Sequence, residues 1–461
     1  MDKSSRCALR LTLLAPLLAA AALAAPASAA LPTFAAPVYY GAGHGPTALL
    51  AADVDGDGIP DIVTADSMGD EVGVLPGDGT GGFTAARLLG TGRGPHDVAA
   101  GDLDGDGVID LVSANADADS VSVLLGKGAG SFAVKTDYAT GERPWGVAVA
   151  DFNGDGKGDV ATADIGGWSV SVLLGDGAGG LLPKTRLTVG AACNGIAVGD
   201  LDDDGHADIV VSFYEAMDDS GVGVFLGDGD GGFTTMESYL TSLEPRTVAI
   251  GDMDGDGDPD IVSLDSLEGT GEISIFLGDG RGGFTKSASV RTGEEACGLA
   301  LAHLDDDRRL DVLTAKGNVL AVFRGNGKGG LLKEADYAAG ARPVDVAAAD
   351  MRADGKFDLL MANRGSDTVG VRLAGPAAAP VIRKLLPAAG AAGTLVRLTG
   401  MHFGARRGNS AVLLAGVPAT RYVSWTDKAI SLRVPRGVRG DVLVRVRTAV
   451  ATSAARHFAR R

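Results

Sequence analysis

Between residues 94 and 141 the apolar positions fall into four short runs, separated by breaks rich in glycine. GPHDVAAGD (94–102) runs into an acidic segment, and DLVSAN (110–115) alternates apolar with polar residues. VSVLLG (121–126) is a third run, and FAVKTDYATG (132–141) begins a fourth. Runs of this length with a period of two predict strands, and the alternation predicts half-buried ones. KGAGS, between the third and fourth runs, predicts a tight hairpin in which glycine supplies positive φ. Four short antiparallel strands in one such stretch are the content of a propeller blade.

The acidic segment after the first run recurs. It reads DVDGDGIPD from Asp53, DLDGDGVID from Asp102, DFNGDGKGD from Asp151, DLDDDGHAD from Asp200 and DMDGDGDPD from Asp252. Two altered copies follow, HLDDDRRLD from His303 and DMRADGKFD from Asp350. The copies begin 47 to 52 residues apart. A constant period of this size means stacked units, each needing its neighbours to bury a core.

Carboxylates at alternate positions of a tight loop point inward, and Ca2+ takes roughly six to eight hard oxygen ligands at about 2.3–2.6 Å. In the first loop Asp53, Asp55 and Asp57 do so, Ile59 offers its carbonyl, and Asp61 closes the shell from the next strand. The same positions hold Asp102, Asp104, Asp106 and Asp110 in the second loop, and Asp151, Asn153, Asp155 and Asp159 in the third. Asp200, Asp202, Asp204 and Asp208 form the fourth set, and Asp252, Asp254, Asp256 and Asp260 the fifth. Left as solvated turns, so many clustered carboxylates would repel one another. About five Ca2+ sites are expected. In the fourth loop Asp203 replaces a glycine and is strained if its φ is positive. The sixth has His303 and Arg308 at altered positions and should bind weakly or not at all. In the seventh, Arg352 stands at a ligand position and could sit among Asp350, Asp354 and Asp358 as a built-in cation. No EF-hand fits: its closing Glu is replaced by Thr64, Ser113, Thr162, Val211 and Ser263, and the flanks read as strands.

The seventh copy ends at VGVRLAG (369–375) without a fourth run, whereas FAAPVYYGAG (34–43) matches the fourth-strand segments of the other units. The N-terminal strand is therefore expected to complete the last blade and remove its exposed edge. These loops, the G-x-G-G-F turns such as LGDGRGGF (277–284) and the G-x-x-P lead-ins resemble FG-GAP/VCBS repeats. That resemblance covers about residues 34–375. It implies a seven-bladed, calcium-binding propeller of the integrin α-chain type, with extracellular binding or cell adhesion as its role.

Charge divides the chain. From residue 376 onward there are 15 Lys and Arg against Asp427 and Asp441, while the rest carries 26 basic and 57 acidic residues. An acidic body attracts cations and repels nucleic acid. The basic tail shows short alternating runs between Gly/Pro turns, as a small β-sandwich should. Pro387, Gly393, Thr394, Gly400, Phe403, Gly404, Trp425, Ile430, Val434 and Pro435 give it a resemblance to the IPT/TIG domain. Its charge reads as a solvated face, or as a surface that docks on the acidic body or on an acidic glycan. At the other end Lys3, Arg6 and Arg10 precede the apolar stretch 11–25, and Ala27, Ser28 and Ala29 fit a small-x-small cleavage site. The expected order is a secretory signal peptide (1–30), the propeller (31–375), a linker (376–380) and an immunoglobulin-like β-sandwich (381–461). The fold class is all-β, and no transmembrane segment follows the leader.

This arrangement predicts a secreted, extracellular or periplasmic, non-catalytic binding protein with a protein or glycan ligand; its oligomeric state is left open. Cys193 and Cys297 are expected to be buried thiols. The six histidines form no catalytic motif, and His96 and His206 read as surface residues. A polysaccharide lyase or phospholipase would need a convergent acid, base or nucleophile outside the repeat. A lectin would need aromatic platforms, for which Trp145 and Trp168 are the candidates, although both read first as packing residues.

Overall fold

The computed structural model describes residues 31–215, 220–267, 269–293, 296–305, 307–375, 381–387, 389, 391, 393–401, 411–414, 417–426, 429–435, 442–447 and 456–458. The leader, the 376–380 linker, Phe403, Gly404, Asp427 and Asp441 lie outside the described residues. No helix occurs among the described residues, and hence none long and apolar enough to cross a membrane.

Residues 38–375 form seven four-stranded antiparallel sheets. The second is typical, with Pro95–Gly101, Asp110–Asn115, Ser120–Leu124 and Thr136–Ala139 paired in chain order. The last combines Pro343–Ala349, Asp358–Asn363 and Thr368–Arg372 with the N-terminal strand Val38–Gly41. There Val38 pairs with Val371 and Gly41 with Thr368, so the closure expected from the repeat phase is present.

The core lies between blades. Seven buried clusters each draw residues from two adjacent sheets. One joins Leu49, Ile62 and Leu75 of the first blade to Met351, Leu360 and Val369 of the seventh. Ile62 faces this junction, while Val63 belongs to the cluster with the second blade. Both faces of the inner strands are therefore covered, which corrects the expectation of half-buried strands there, while outer strands such as Arg87–Gly90 and Thr136–Ala139 stay largely exposed. All six residues of Asp110–Asn115 are buried, Ser113 and Asn115 included. Polar side chains survive there because they are paired, Ser113 Oγ donating to Asn115 Oδ1 at 3.0 Å and Asn115 Nδ2 to Ser122 Oγ at 2.8 Å.

In every blade the pairing of first and second strands slips at the same end, between Pro46 and Ala48, Pro95 and Asp97, Pro144 and Gly146, and at the equivalent places in the other four. A bulge of this kind re-aims the side chain of the extra residue.

The C-terminal segments form two further four-stranded sheets. One orders Val381–Leu386, Leu395–Met401, Ala429–Arg433 and Tyr422–Thr426; the other orders Val417–Pro418, Ala411–Leu414, Val442–Arg447 and Arg456–Phe458. Their shared core includes Val396, Leu398, Val412, Ile430, Leu432 and Val444, with Trp425 edge-on to Tyr422 at 5.4 Å. This is the sandwich expected from the alternating tail. Cys193 is buried and Cys297 only half-buried, and neither is in a disulfide.

Candidate metal loops

Each acidic loop joins the first strand of a blade to its second. Asp53 shapes the first loop, Oδ1 accepting the Gly56 and Asp57 N–H groups at 2.8 and 3.0 Å and Oδ2 that of Gly58 at 2.6 Å. Asp102, Asp151, Asp200 and Asp252 repeat this role, each accepting backbone N–H groups three to five residues on. Asp57, Asp106, Asp155, Asp204 and Asp256 each accept the N–H two residues ahead, which tightens the turn's exit. Asp203 does take a left-handed φ of 59°, where the other complete loops use glycine.

The ninth-position aspartate has a second task that its spacing does not announce. Asp61 Oδ2 accepts the Val54 N–H at 3.1 Å and Oδ1 the Gly77 N–H at 2.8 Å, tying the loop to the end of the third strand. Asp110, Asp159, Asp208, Asp260 and Asp311 make the same pair of bonds. In these six loops the partner is glycine, since a Cβ at Gly77 would lie 2.4 Å from the Pro60 carbonyl oxygen. In the seventh, Asp358 Oδ1 accepts the Ala374 N–H at 2.7 Å, so the ninth-position Asp keeps half of the clamp there.

Carboxylate oxygens converge in four loops. In the first, Asp53, Asp55 and Asp57 bring ligand atoms within 4.8 Å of one another. In the second, fourth and fifth, the first, third and ninth positions gather: Asp102, Asp104 and Asp110; Asp200, Asp202 and Asp208; Asp252, Asp254 and Asp260. Asp106, Asp204 and Asp256 are not in these trios, and Asp61 is not in that of the first loop. In the third loop Asn153 takes the third position, and its Oδ1 accepts the Asp155 N–H at 3.1 Å.

The donor set fits a hard cation. All the side-chain donors are oxygens, and one buried oxygen of Asp202 accepts no hydrogen bond. Without a cation, burial above all pushes Asp61, Asp110, Asp159, Asp208 and Asp260 up to about 6, with neighbouring loop carboxylates adding to the rise. A bound dication would reverse that pressure.

The sixth and seventh loops carry cations of their own. Arg352 Nη2 lies 2.9 Å from Asp358 Oδ1 and 3.1 Å from Asp354 Oδ2, and also donates to the Ala374 carbonyl at 2.6 Å. Asp350 is reached by the Arg352 backbone N–H, not by the guanidinium. In the sixth loop Arg324 Nε lies 3.2 Å from Asp305 Oδ2. Sequence reasoning missed Arg324 because it sits outside the loop, at the end of the third strand. The signal was present: that position is Leu125, Leu174, Leu226 and Leu277 in neighbouring repeats.

The tryptophans and histidines depart from expectation. Trp168 is 55% exposed, not packed. His96 is recessed, its ring 3.5 Å from that of Trp145, because both are bulge residues on adjacent first strands.

The FG-GAP-like repeat pattern matches residues 53–113, 102–162, 151–211, 213–263, 252–314 and 303–361, and the IPT/TIG domain matches residues 380–458. No curated protein sequence matches the chain. Among solved structures, BBS1N in complex with ARL6DN is 12% identical, with a TM-score of 0.53 over 76% of this chain and 99% of that one, a likeness of fold alone. An Agrocybe aegerita lectin that recognises non-reducing terminal N-acetylglucosamine is 18% identical, with a TM-score of 0.48 over 73% of this chain and 97% of its own. A fungal alcohol oxidase of the AA5 family, in complex with copper, is 13% identical, with a TM-score of 0.47 over 93% and 99%.

Proposed function

Because this chain belongs to the FG-GAP-like repeat family and ends in an IPT/TIG domain, we propose that it is a secreted, calcium-binding adhesion or binding protein without catalytic activity. The observation that carries the reading is the recurrence of aspartate trios in the loops of successive blades. Asp53, Asp55 and Asp57 would hold one ion, the trios of the second, fourth and fifth loops one each, and Asp151, Asp155 and Asp159 with Asn153 a fifth. Calcium would supply charge neutralisation in each loop. The chain's own part is to hold the loops in shape, through Asp53-type turn bonds and Asp61-type clamps. Sites of the extracellular class bind at roughly 0.1–1 mM. Each would then add about 1 kcal/mol at millimolar calcium, by linkage.

Asp97, Asp119, Asp345 and Asp367 accept blade-to-blade bonds and the loop aspartates hold turns and clamps, which supports display over catalysis. The partner on this reading is an extracellular protein or glycan. The test is a thermal melt in EGTA against millimolar calcium with bound metal counted, joined to retention of the loaded protein on immobilised matrix proteins and polysaccharides. Four to six ions, a large stabilisation and saturable retention are expected. No bound metal and no melting shift would overturn the reading.

A further inference from the structure

The bulge at one end of each first strand varies from blade to blade. Further along, these strands are mostly Ala and Val, whereas the extra residue is Thr47, His96, Trp145, Asn194 (with Gly195), Arg246 and Val344 in six of the seven. These bulges form a ring. Thr47 Oγ1 reaches the Pro95 carbonyl at 3.2 Å, His96 stacks on Trp145, and a Cβ at Gly146 would lie 2.8 Å from the Asn194 carbonyl oxygen. A fold that holds its scaffold constant and varies one ring of re-aimed side chains has put its recognition chemistry there.

Three features of this ring ask for a ligand. Asn194 is 4% exposed and its Oδ1 accepts no hydrogen bond, so it awaits a donor. Arg364, from the seventh blade, has a buried Nε with no acceptor. Burial first, and then the charges of Arg364 and Arg143, hold the His96 imidazole below its usual value, so both guanidiniums stand within electrostatic reach of that ring. Arg143 lies 5.8 Å from the centre of the Trp145 ring and holds a left-handed φ of 54°, at a position where the first two blades have Gly45 and Gly94. Its N–H is pinned to Asp119 Oδ1 at 2.8 Å, so the strained conformation is fixed by its neighbour.

We propose that the ring from His96 to Asn194, with Arg143 and Arg364, binds an acidic sugar, its carboxylate on the arginines and a hydroxyl on Asn194. The proposal rests on the binding reading above and names its ligand class. A carboxylate satisfies the guanidiniums, and the apolar face of a pyranose suits an aromatic step. An acidic peptide also offers a carboxylate, and its backbone N–H groups can serve Asn194 Oδ1, so what favours a uronic acid is the apolar pyranose face against the aromatic step.

The test uses the full chain in millimolar calcium, titrated with a galacturonic acid trimer, a neutral galactose trimer and a tri-glutamate peptide, and followed by tryptophan fluorescence and calorimetry. Saturable binding of the acidic trimer alone is expected. It should weaken at least tenfold in Arg364→Ala, Arg143→Ala and Asn194→Ala, and be unchanged in Lys127→Ala, which lies on a distant hairpin. Arg364→Lys, which keeps the charge, covers the case in which Arg364→Ala does not fold, and should weaken binding while melting as wild type does. No binding of the acidic trimer, equal binding of the neutral trimer, preference for the peptide, or binding indifferent to both arginines would each overturn the assignment. Retention of wild type on another matrix, undiminished by Arg364→Ala, would sink this site and leave the binding reading standing. Absence of retention on every matrix would sink both.

Discussion

Arg324 Nε lies 3.2 Å from Asp305 Oδ2, a pair formed between the end of one strand and a loop 19 residues before it. Asp305 is buried and the guanidinium nearly so. With Arg352 in the seventh loop, this puts fixed cations in two consecutive loops next to the seam where the ring closes. Arg324→Leu, which restores the residue of neighbouring repeats, should take from Asp305 its ion pair, while Asp307 keeps Arg309 at 3.8 Å. Breaking a buried pair by removing one partner costs about 3 kcal/mol. A fall in melting temperature is expected in calcium and in EGTA alike, and an unchanged melt would deny the arginine its role.

Arg352→Asp rewrites the seventh loop to the complete acidic pattern. Asp350, Asp354 and Asp358 are already in place, and Asp350 already accepts the Asp354 and Gly355 N–H groups as Asp53 does its own. The variant should bind one calcium more than wild type by metal analysis, and melt lower than wild type in EGTA because the carboxylates have lost their guanidinium. An unchanged metal count would mean that loop shape alone, without the third-position oxygen, decides occupancy.

Asp55→Ala and Asp305→Ala separate the two kinds of loop. Sequence alone predicts a larger cost for Asp55→Ala, because the sixth loop has lost its ligands. The structure changes the comparison, since Asp305→Ala removes the nearest carboxylate from the nearly buried Arg324 and leaves it Glu334 at 3.8 Å and Asp307 at 4.0 Å. Asp55→Ala should lower the melting temperature only when calcium is present, by about the 1 kcal/mol that one millimolar-range site contributes. The deficit of Asp305→Ala should persist in EGTA. Melts of both variants with and without chelator distinguish the cases, and identical calcium dependence would undo the division.

Asp66, in the interior of the first blade, is pushed up to about 7 by burial, against the hydrogen bond from Thr64 and with Glu71 adding to the rise. Its Oδ1 is buried and takes no hydrogen bond. The unfolded value is about 4. Between that value and about 7 the folded chain holds a proton the unfolded chain has lost, so the group's contribution to stability falls as pH rises through this window. Asn115 and Asn363 already occupy the equivalent position in the second and seventh blades. Asp66→Asn should therefore gain at least about 1 kcal/mol at pH 8, the cost of an unsatisfied buried polar group, and almost nothing at pH 4. The difference between wild-type and variant melts from pH 4 to 8, in constant calcium, checks both size and sign. A variant less stable at pH 8 would mean that the ionised carboxylate is needed.

What the sequence disclosed, it disclosed by repetition. Seven copies in phase revealed the blade and its acidic loop, and the place where the phase breaks revealed Val38–Gly41 as the strand that completes the seventh blade. Features that depend on contacts between separate strands of a repeat, or between repeats, were hidden. Nothing within a period shows that Asp61 clamps Gly77, that Arg324 answers Asp305, or that His96 meets Trp145 across a blade boundary. The burial of Ser113 and Asn115 misled for the same reason: alternation reads as one wet face, and only the neighbouring blade turns that face dry. Variation between aligned repeats was the unused signal, since it marks both Arg324 and the bulge ring.

Closure itself can be tested by removing residues 31–43. The deletion strips Val38–Gly41 from Thr368–Arg372 and takes away the Ala35 carbonyl that accepts from Arg372 Nη1 at 2.7 Å. It leaves Gly45, whose N–H reaches Asp367 Oδ1 at 2.8 Å, and Leu49, whose N–H reaches Asp345 Oδ2 at 2.9 Å, so the first and seventh blades still meet. The ring should persist with one open sheet edge, and open edges recruit strands. Concentration-dependent association by light scattering is expected, with a lower melting temperature in calcium. A peptide of residues 34–43 added in trans should reverse both by refilling the edge. A truncated chain that stays monomeric and melts as the full one does would show that the N-terminal strand does not close the seventh blade.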